Sequence, residues 1–100
     1  MKITEPQKPN PESKSWYYDM QKYCNEMIIY KFEVWMDVRI CKVNFNVKLT
    51  EYEIYNDYIR HGGEMKRKQF IQLFRDKVGM PQNMGHIPCH KNISFKEIEL

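Results

Sequence analysis

Cysteine is scarce in this sequence and odd in number. Cys24, Cys41 and Cys89 cannot all pair within one chain. That argues against a disulfide scaffold and for a reducing compartment, so an intracellular location is expected. Long apolar runs are missing too. No stretch approaches the roughly 18 residues that a membrane span needs. The most apolar segment, residues 27–43, is broken by Lys31, Glu33, Asp37, Arg39 and Lys42. Residues 1–10 are polar and carry Pro6 and Pro9, with no apolar stretch after the first lysine, so no secretory signal is expected. An excess of one sign of charge is small, 16 Lys and Arg against 13 Asp and Glu giving a formal net of +3, which by itself selects no partner. Glycine-rich phosphate loops are absent as well, because Gly62-Gly63 is too short a run to cradle a phosphate.

Aromatic residues are plentiful. They make up 14% of the 100 residues, and 42% are hydrophobic, too much for a disordered chain. One domain with one core is expected over residues 15–100. Residues 1–14, with Pro6, Pro9 and Pro11, read as a flexible arm.

Ser13 or Ser15 is placed to cap a first helix over residues 14–27, where Trp16, Met20, Tyr23, Cys24, Met27 and Ile28 recur at three- and four-residue steps. The pattern then changes. Tyr30, Phe32, Val34, Met36, Val38 and Ile40 alternate with Lys31, Glu33, Trp35, Asp37 and Arg39, which predicts a strand with one buried face. The alternative, a helix running on through Val34, stays open. From Val43 the alternation changes phase, which predicts a bulge or tight bend near Cys41 and Lys42.

Thr50-Glu51-Tyr52-Glu53 is a capping box. The helix it starts is expected to bury Tyr52, Ile54, Tyr55, Tyr58 and Ile59 and to expose Glu53, Asn56, Asp57 and Arg60. His61-Gly62-Gly63 ends it. A further helix is predicted over residues 66–78, with Phe70, Ile71, Phe74 and Val78 on one face and Lys68, Gln69, Gln72, Arg75 and Asp76 on the other. Gly79 and Pro81 stop it. Residues 81–92 read as a loop, and residues 93–100 as a terminal strand with a slip at Glu97. The fold class is α+β: a winged-helix-like helix-turn-helix with an N-terminal helix and a small antiparallel sheet.

Charge concentrates in the second half. Residues 60–77 carry six bases against two acids. Two amphipathic helices joined by a tight glycine turn, the second with a cationic outer face, have the form of a helix-turn-helix with its recognition helix. Residues 49–59, with residues 68–74 after the turn, resemble winged-helix domains of the regulatory-factor-X type. They are also similar to the C-terminal domains of the pox-type and phage primase-helicases. Those families have a short wing and a closing apolar strand, positions matched here by His86, His90 and Lys91 and by residues 93–100.

The resemblance covers about half of the chain. It implies a non-enzymatic domain that binds double-stranded DNA, from a viral or phage source acting in the host cytoplasm or nucleus. Lys66, Arg67 and Lys68 are the candidates for phosphate contacts, and Lys91 of the wing is a further DNA-binding candidate. Gln69, Gln72 and Arg75 are the candidates for the groove.

A second reading is a small viral or phage inhibitor or adaptor. Trp35, on the polar side of the alternating segment, would anchor a protein partner or a homodimer if exposed. His86, Cys89 and His90 with Cys24 or Cys41 are read as ordinary loop and core residues rather than a zinc site. Cys89 beside His90 is not expected to be a nucleophile. No metal, cofactor or enzymatic activity is expected.

Overall fold

A computed structural model describes residues 4–96 and begins with one long helix, α1 (Trp16–Arg39). The rest follows in the order β1 (Ile40–Lys42), β2 (Lys48–Thr50), α2 (Glu51–Arg60), α3 (Arg67–Val78), β3 (Gln82–Met84), β4 (Ile87–Lys91) and β5 (Ile93–Phe95). The class is α+β, with three helices and two small antiparallel sheets among the described residues. Ile98 and Leu100 of the expected terminal strand, and the slip at Glu97, lie outside the described residues.

Residues 30–39 of the expected strand are helix instead, and Ile40 begins β1. Ile28, Phe32, Trp35, Met36 and Arg39 recur at helical spacing, and Phe32 and Trp35 are the buried residues of α1. The opposite face carries Tyr30, Val34 and Val38, so apolar residues on two faces of one helix imitate the alternation of a strand. Ser15 precedes the helix without a side-chain cap; its hydroxyl donates instead to Asp19 at 2.9 Å.

The phase change after Cys41 marks a loop over residues 43–47 between β1 and β2. The irregularity sits on the facing strand. β4 and β5 are separated only by Asn92, which takes a φ of 60°, a conformation that asparagine tolerates better than most residues. Its N–H donates to the Val47 carbonyl at 2.8 Å, and its carbonyl accepts from Val43 at 2.9 Å. β5 thus pairs with β1, and β4 with β2.

Residues 81–92, expected as loop, form a hairpin of β3 and β4 whose turn is Gly85-His86. Gly85 has a φ of 66° at the first central position, where a type II′ turn favours glycine. All three residues of β3 are exposed, so no apolar alternation announces the strand.

The core gathers where the helices meet. Phe70 stacks on Tyr58 with ring centroids 4.8 Å apart and meets Phe32 edge-on at 5.4 Å; Trp35 meets Tyr58 at 5.5 Å. Phe74, Ile54, Met65, Leu49 and Ile93 complete it. The predicted face of α2 is partly wrong. Ile54 and Tyr58 are inside, but Tyr52 and Ile59 are exposed, while Glu51 and Asp57 are buried. Asp57 is buried because Trp35 Nε1 donates to it at 2.9 Å and Arg39 binds it through both carboxylate oxygens, at 3.1 and 2.9 Å. Burial pushes its carboxyl up, but the bonds from Arg39 and Trp35 outweigh that and hold it below the usual carboxylate range. Arg39 also donates to the Lys96 carbonyl at 2.8 Å, which ties the end of β5 to the same point.

The turn between α2 and α3 is held from inside. The Tyr58 hydroxyl accepts from the backbone N–H of Glu64 at 3.1 Å and of Met65 at 2.9 Å. A Cβ at Gly63 would overlap the Tyr58 ring, whereas Gly62, with a φ of 86°, opens on free space. Gly63→Ala is therefore expected to cost about 1–3 kcal/mol, the range for forcing atoms into a packed core. Gly62→Ala is expected to cost about 1 kcal/mol from left-handed backbone strain. Urea denaturation of both variants checks this order, and a Gly63→Ala protein as stable as the parent contradicts it.

Candidate functional site

The outward face of α3 is positioned by three local devices. Thr50 accepts a hydrogen bond from the Glu53 N–H at 3.1 Å and so starts α2 at a fixed place. The turn locked by Tyr58 then redirects the chain. Phe70 and Phe74 enter the core and leave the opposite side of α3 in solvent. Lys66, at the N-cap, and Arg67, Lys68, Gln69 and Gln72 are all exposed. The helix begins one residue later than the sequence predicts, and Gly79 ends it with a φ of 101°.

Arg75 does not share this position. Its Nε donates to Glu51 Oε2 at 2.9 Å and its Nη2 to Oε1 at 2.7 Å. His90 Nε2 stands 2.9 Å from the same Oε2. A carboxylate only accepts, so that imidazole nitrogen carries the proton and donates. The Glu51 side chain is 3% exposed and the Arg75 side chain 32%. Burial pushes the Glu51 carboxyl up. The hydrogen bonds from Arg75 and His90, with their charge, outweigh this and leave it below its ordinary range. The bond from Glu51 raises the Arg75 guanidinium in turn. Expected to face the groove, Arg75 instead fastens α3 to α2 and, through Glu51 and His90, to β4.

The expected residues are only partly brought together. Lys66, Arg67, Lys68, Gln69 and Gln72 are all exposed along the first turns of α3, and Arg67, Lys68 and Gln72 border one groove. Lys91 is exposed but follows His90 in β4. Since His90 points at the helices, Lys91 points to the other face of the sheet, opposite Lys48 in register. It therefore stands apart from the α3 cations. Trp35 is no surface anchor: it is 5% exposed, enclosed by Phe32, Tyr58 and Phe70 and bonded to Asp57. The aromatic β surface expected around it is helix.

Beside the patch, a groove of about 760 Å³ runs between α3 and the hairpin, bordered by Arg67, Lys68, Gln72, Asp76, Met80 and Pro88. Asp76 makes its C-terminal end less cationic. The hairpin tip presents Met84, His86 and Ile87, all exposed. His86 and His90 do not converge, one sitting at that tip and the other buried on Glu51. Among the described residues no group of His, Cys, Asp and Glu gathers as a metal site, and no helix is long and apolar enough to cross a membrane.

The sequence reading missed Glu51 and His90. Glu51 looked like one more acid in a capping box, and its burial depends on Arg75 and His90, 24 and 39 residues away. A helix-initial acid followed by an arginine on the predicted polar face of the next helix was the one available signal. Comparison with protein-family models, curated proteins and solved structures finds no match to this chain.

Arg75→Ala leaves the buried Glu51 carboxylate with His90 alone. Breaking a buried ion pair costs about 3–5 kcal/mol. With a third of the Arg75 side chain in water, about 2 kcal/mol is the expected loss. Lys68→Ala is expected to change stability by less than about 0.5 kcal/mol. Urea denaturation at neutral pH compares the two, and equal effects would show that Arg75 is not the fastening residue.

Proposed function

We propose that this chain binds double-stranded DNA through the N-terminal half of α3, without catalysing a reaction. The observation that carries the reading is the patch of Lys66, Arg67, Lys68, Gln69 and Gln72, exposed together on the first turns of a helix whose other side is anchored in the core. An α-helix with its side chains is about 10–12 Å across, and the major groove is about 12 Å wide. Lysine and arginine neutralise phosphates there, and glutamine pairs with adenine edges.

The order of elements supports the same reading. After two short strands come two helices joined by a tight turn, a hairpin and a closing strand, and a short wing with a closing strand is what the resemblance to winged-helix domains implies. The strand order β2-β4-β3 sets the hairpin beside the strand that leads into α2. The hairpin tip is apolar rather than basic, so the phosphate contacts fall to α3. Arg75 borders the same groove but is held by Glu51, so it serves the scaffold of this interface first.

Titrating a fluorescein-labelled duplex and reading its anisotropy tests this. Each neutralised phosphate contributes about 0.9 to the slope of log affinity against log salt. Three cations at the start of α3 are thus expected to give a slope between about −2 and −3. The double change Arg67→Glu and Lys68→Glu is expected to weaken binding at least about tenfold, each lost charge contact being worth about 1 kcal/mol or more. Absence of binding at low salt, or affinity untouched by the double change, would refute the reading.

A further inference from the structure

α1 is apolar on two opposite faces. One face enters the core through Ile28, Phe32, Trp35 and Met36. The other is a stripe of Trp16, Met20, Tyr23, Met27, Tyr30 and Val34, whose spacing alternates between four and three residues. At 100° per residue this stripe lies on the side of the helix away from Phe32. Trp16 is exposed and the other five are part-exposed. Not one of the six belongs to the core or packs against it. Residues Thr4 to Gln7 lie along the acidic edge of the stripe, beside Glu26, Ile29, Tyr30 and Glu33. From Trp16 to Met27 no residue of the helix is buried.

A repeat of 3.5 residues is the seam of a two-stranded coiled coil, in which each apolar side chain fits between four residues of the facing helix. Charge on the two edges of the seam selects the occupant and its direction. One edge carries Asp19, Glu26 and Glu33. The other carries Tyr17, Cys24, Lys31 and Val38, with no acid. If two copies ran antiparallel, the acidic edges would lie against each other. If they run parallel and in register, each acidic edge meets the acid-free one, and Glu26 comes opposite Lys31 of the second copy. The ion pairs these residues make within one chain, Lys22 with Glu26 at 3.9 Å, Lys31 with Glu64 at 3.8 Å and Lys77 with Glu33 at 4.0 Å, lie at the surface, and Asp19 accepts from the Ser13 and Ser15 hydroxyls. Such pairs are weak and readily exchanged. We propose that two copies of this chain associate through the outer stripe of α1 as a parallel, in-register helix pair. The proposal does not rest on DNA binding.

Sedimentation equilibrium of the full chain, up to about 0.1 mM so that mass action favours association, reads the first consequence. The expected mass is twice the 12.3 kDa of one chain. Met27→Glu, which places a charge in the seam, is expected to return the mass to that of one chain while the helical circular dichroism, and the denaturation midpoint at dilutions where the parent is also monomeric, stay unchanged. Independently, Met27→Cys on a Cys24→Ser background is expected to form a disulfide between copies on mild oxidation, since seam residues of a parallel pair face their own counterparts. A wild-type chain that stays monomeric throughout, as it would if the stripe served a different partner, overturns the proposal. So does a dimer untouched by Met27→Glu. A dimer in which Met27→Cys does not cross-link overturns the parallel arrangement.

Discussion

The buried carboxylate of Glu51 holds the architecture at its critical joint. It sits in the first turn of α2, where the helix dipole already favours a negative charge. From there it receives two bonds from Arg75 on α3 and one from His90 on β4. A buried ion is tolerated only when its lone pairs are filled. Here they are, and no buried side-chain nitrogen or oxygen among the described residues is left without a partner. This one group therefore fixes the angle at which α3 stands beside the hairpin. It also engages Arg75 in an ion pair, although about a third of that side chain stays in water.

Asp57, two turns further along α2, does the same for the other side of the domain. Trp35 and Arg39 reach it from α1, and Arg39 continues to the end of β5. The two carboxylates flank Ile54 and Tyr58, which enter the core between them. α2 is thus a short helix that binds a neighbour through charge at each end and through apolar surface in the middle. The aromatic cluster supplies the hydrophobic part, and the Tyr58 hydroxyl closes the turn that leads to α3. Rigidity in this region suits a recognition helix, because contacts to base edges need side chains held at a fixed distance and angle.

Some of this was legible in the sequence and some was not, for physical reasons. α2, the glycine turn and α3 announce themselves through local chemistry: a threonine cap, a glycine pair, and phenylalanines four residues apart. The second half of α1 does not. A helix with apolar residues on two faces reads as alternation, and only the partners of Phe32 and Trp35 resolve it. The hairpin was missed because β3 buries nothing and leaves no periodic trace. Glu51, Asp57 and Arg75 look like surface charges in any local window, since the groups that bury them lie far along the chain. For the same reason the exposure of Lys66, Arg67, Lys68, Gln69 and Gln72 was legible locally, because none of them needs a distant partner. It was misread at Arg75 and Trp35, which have one.

Two exposed faces remain that the fold itself does not use, the start of α3 and the outer stripe of α1, and they differ in chemistry. The first is cationic and amide-rich, suited to a phosphate backbone and base edges; the second is aromatic and thioether-rich, suited to another helix. A nuclear magnetic resonance titration of the uniformly ¹⁵N-labelled chain with a short unlabelled duplex tests the central assignment most directly. Amide shift changes concentrated over residues 66–72, with residues 16–27 and Lys91 unmoved, are the result this account predicts. Changes centred on α1, or an α3 that does not respond to saturating duplex, would contradict it.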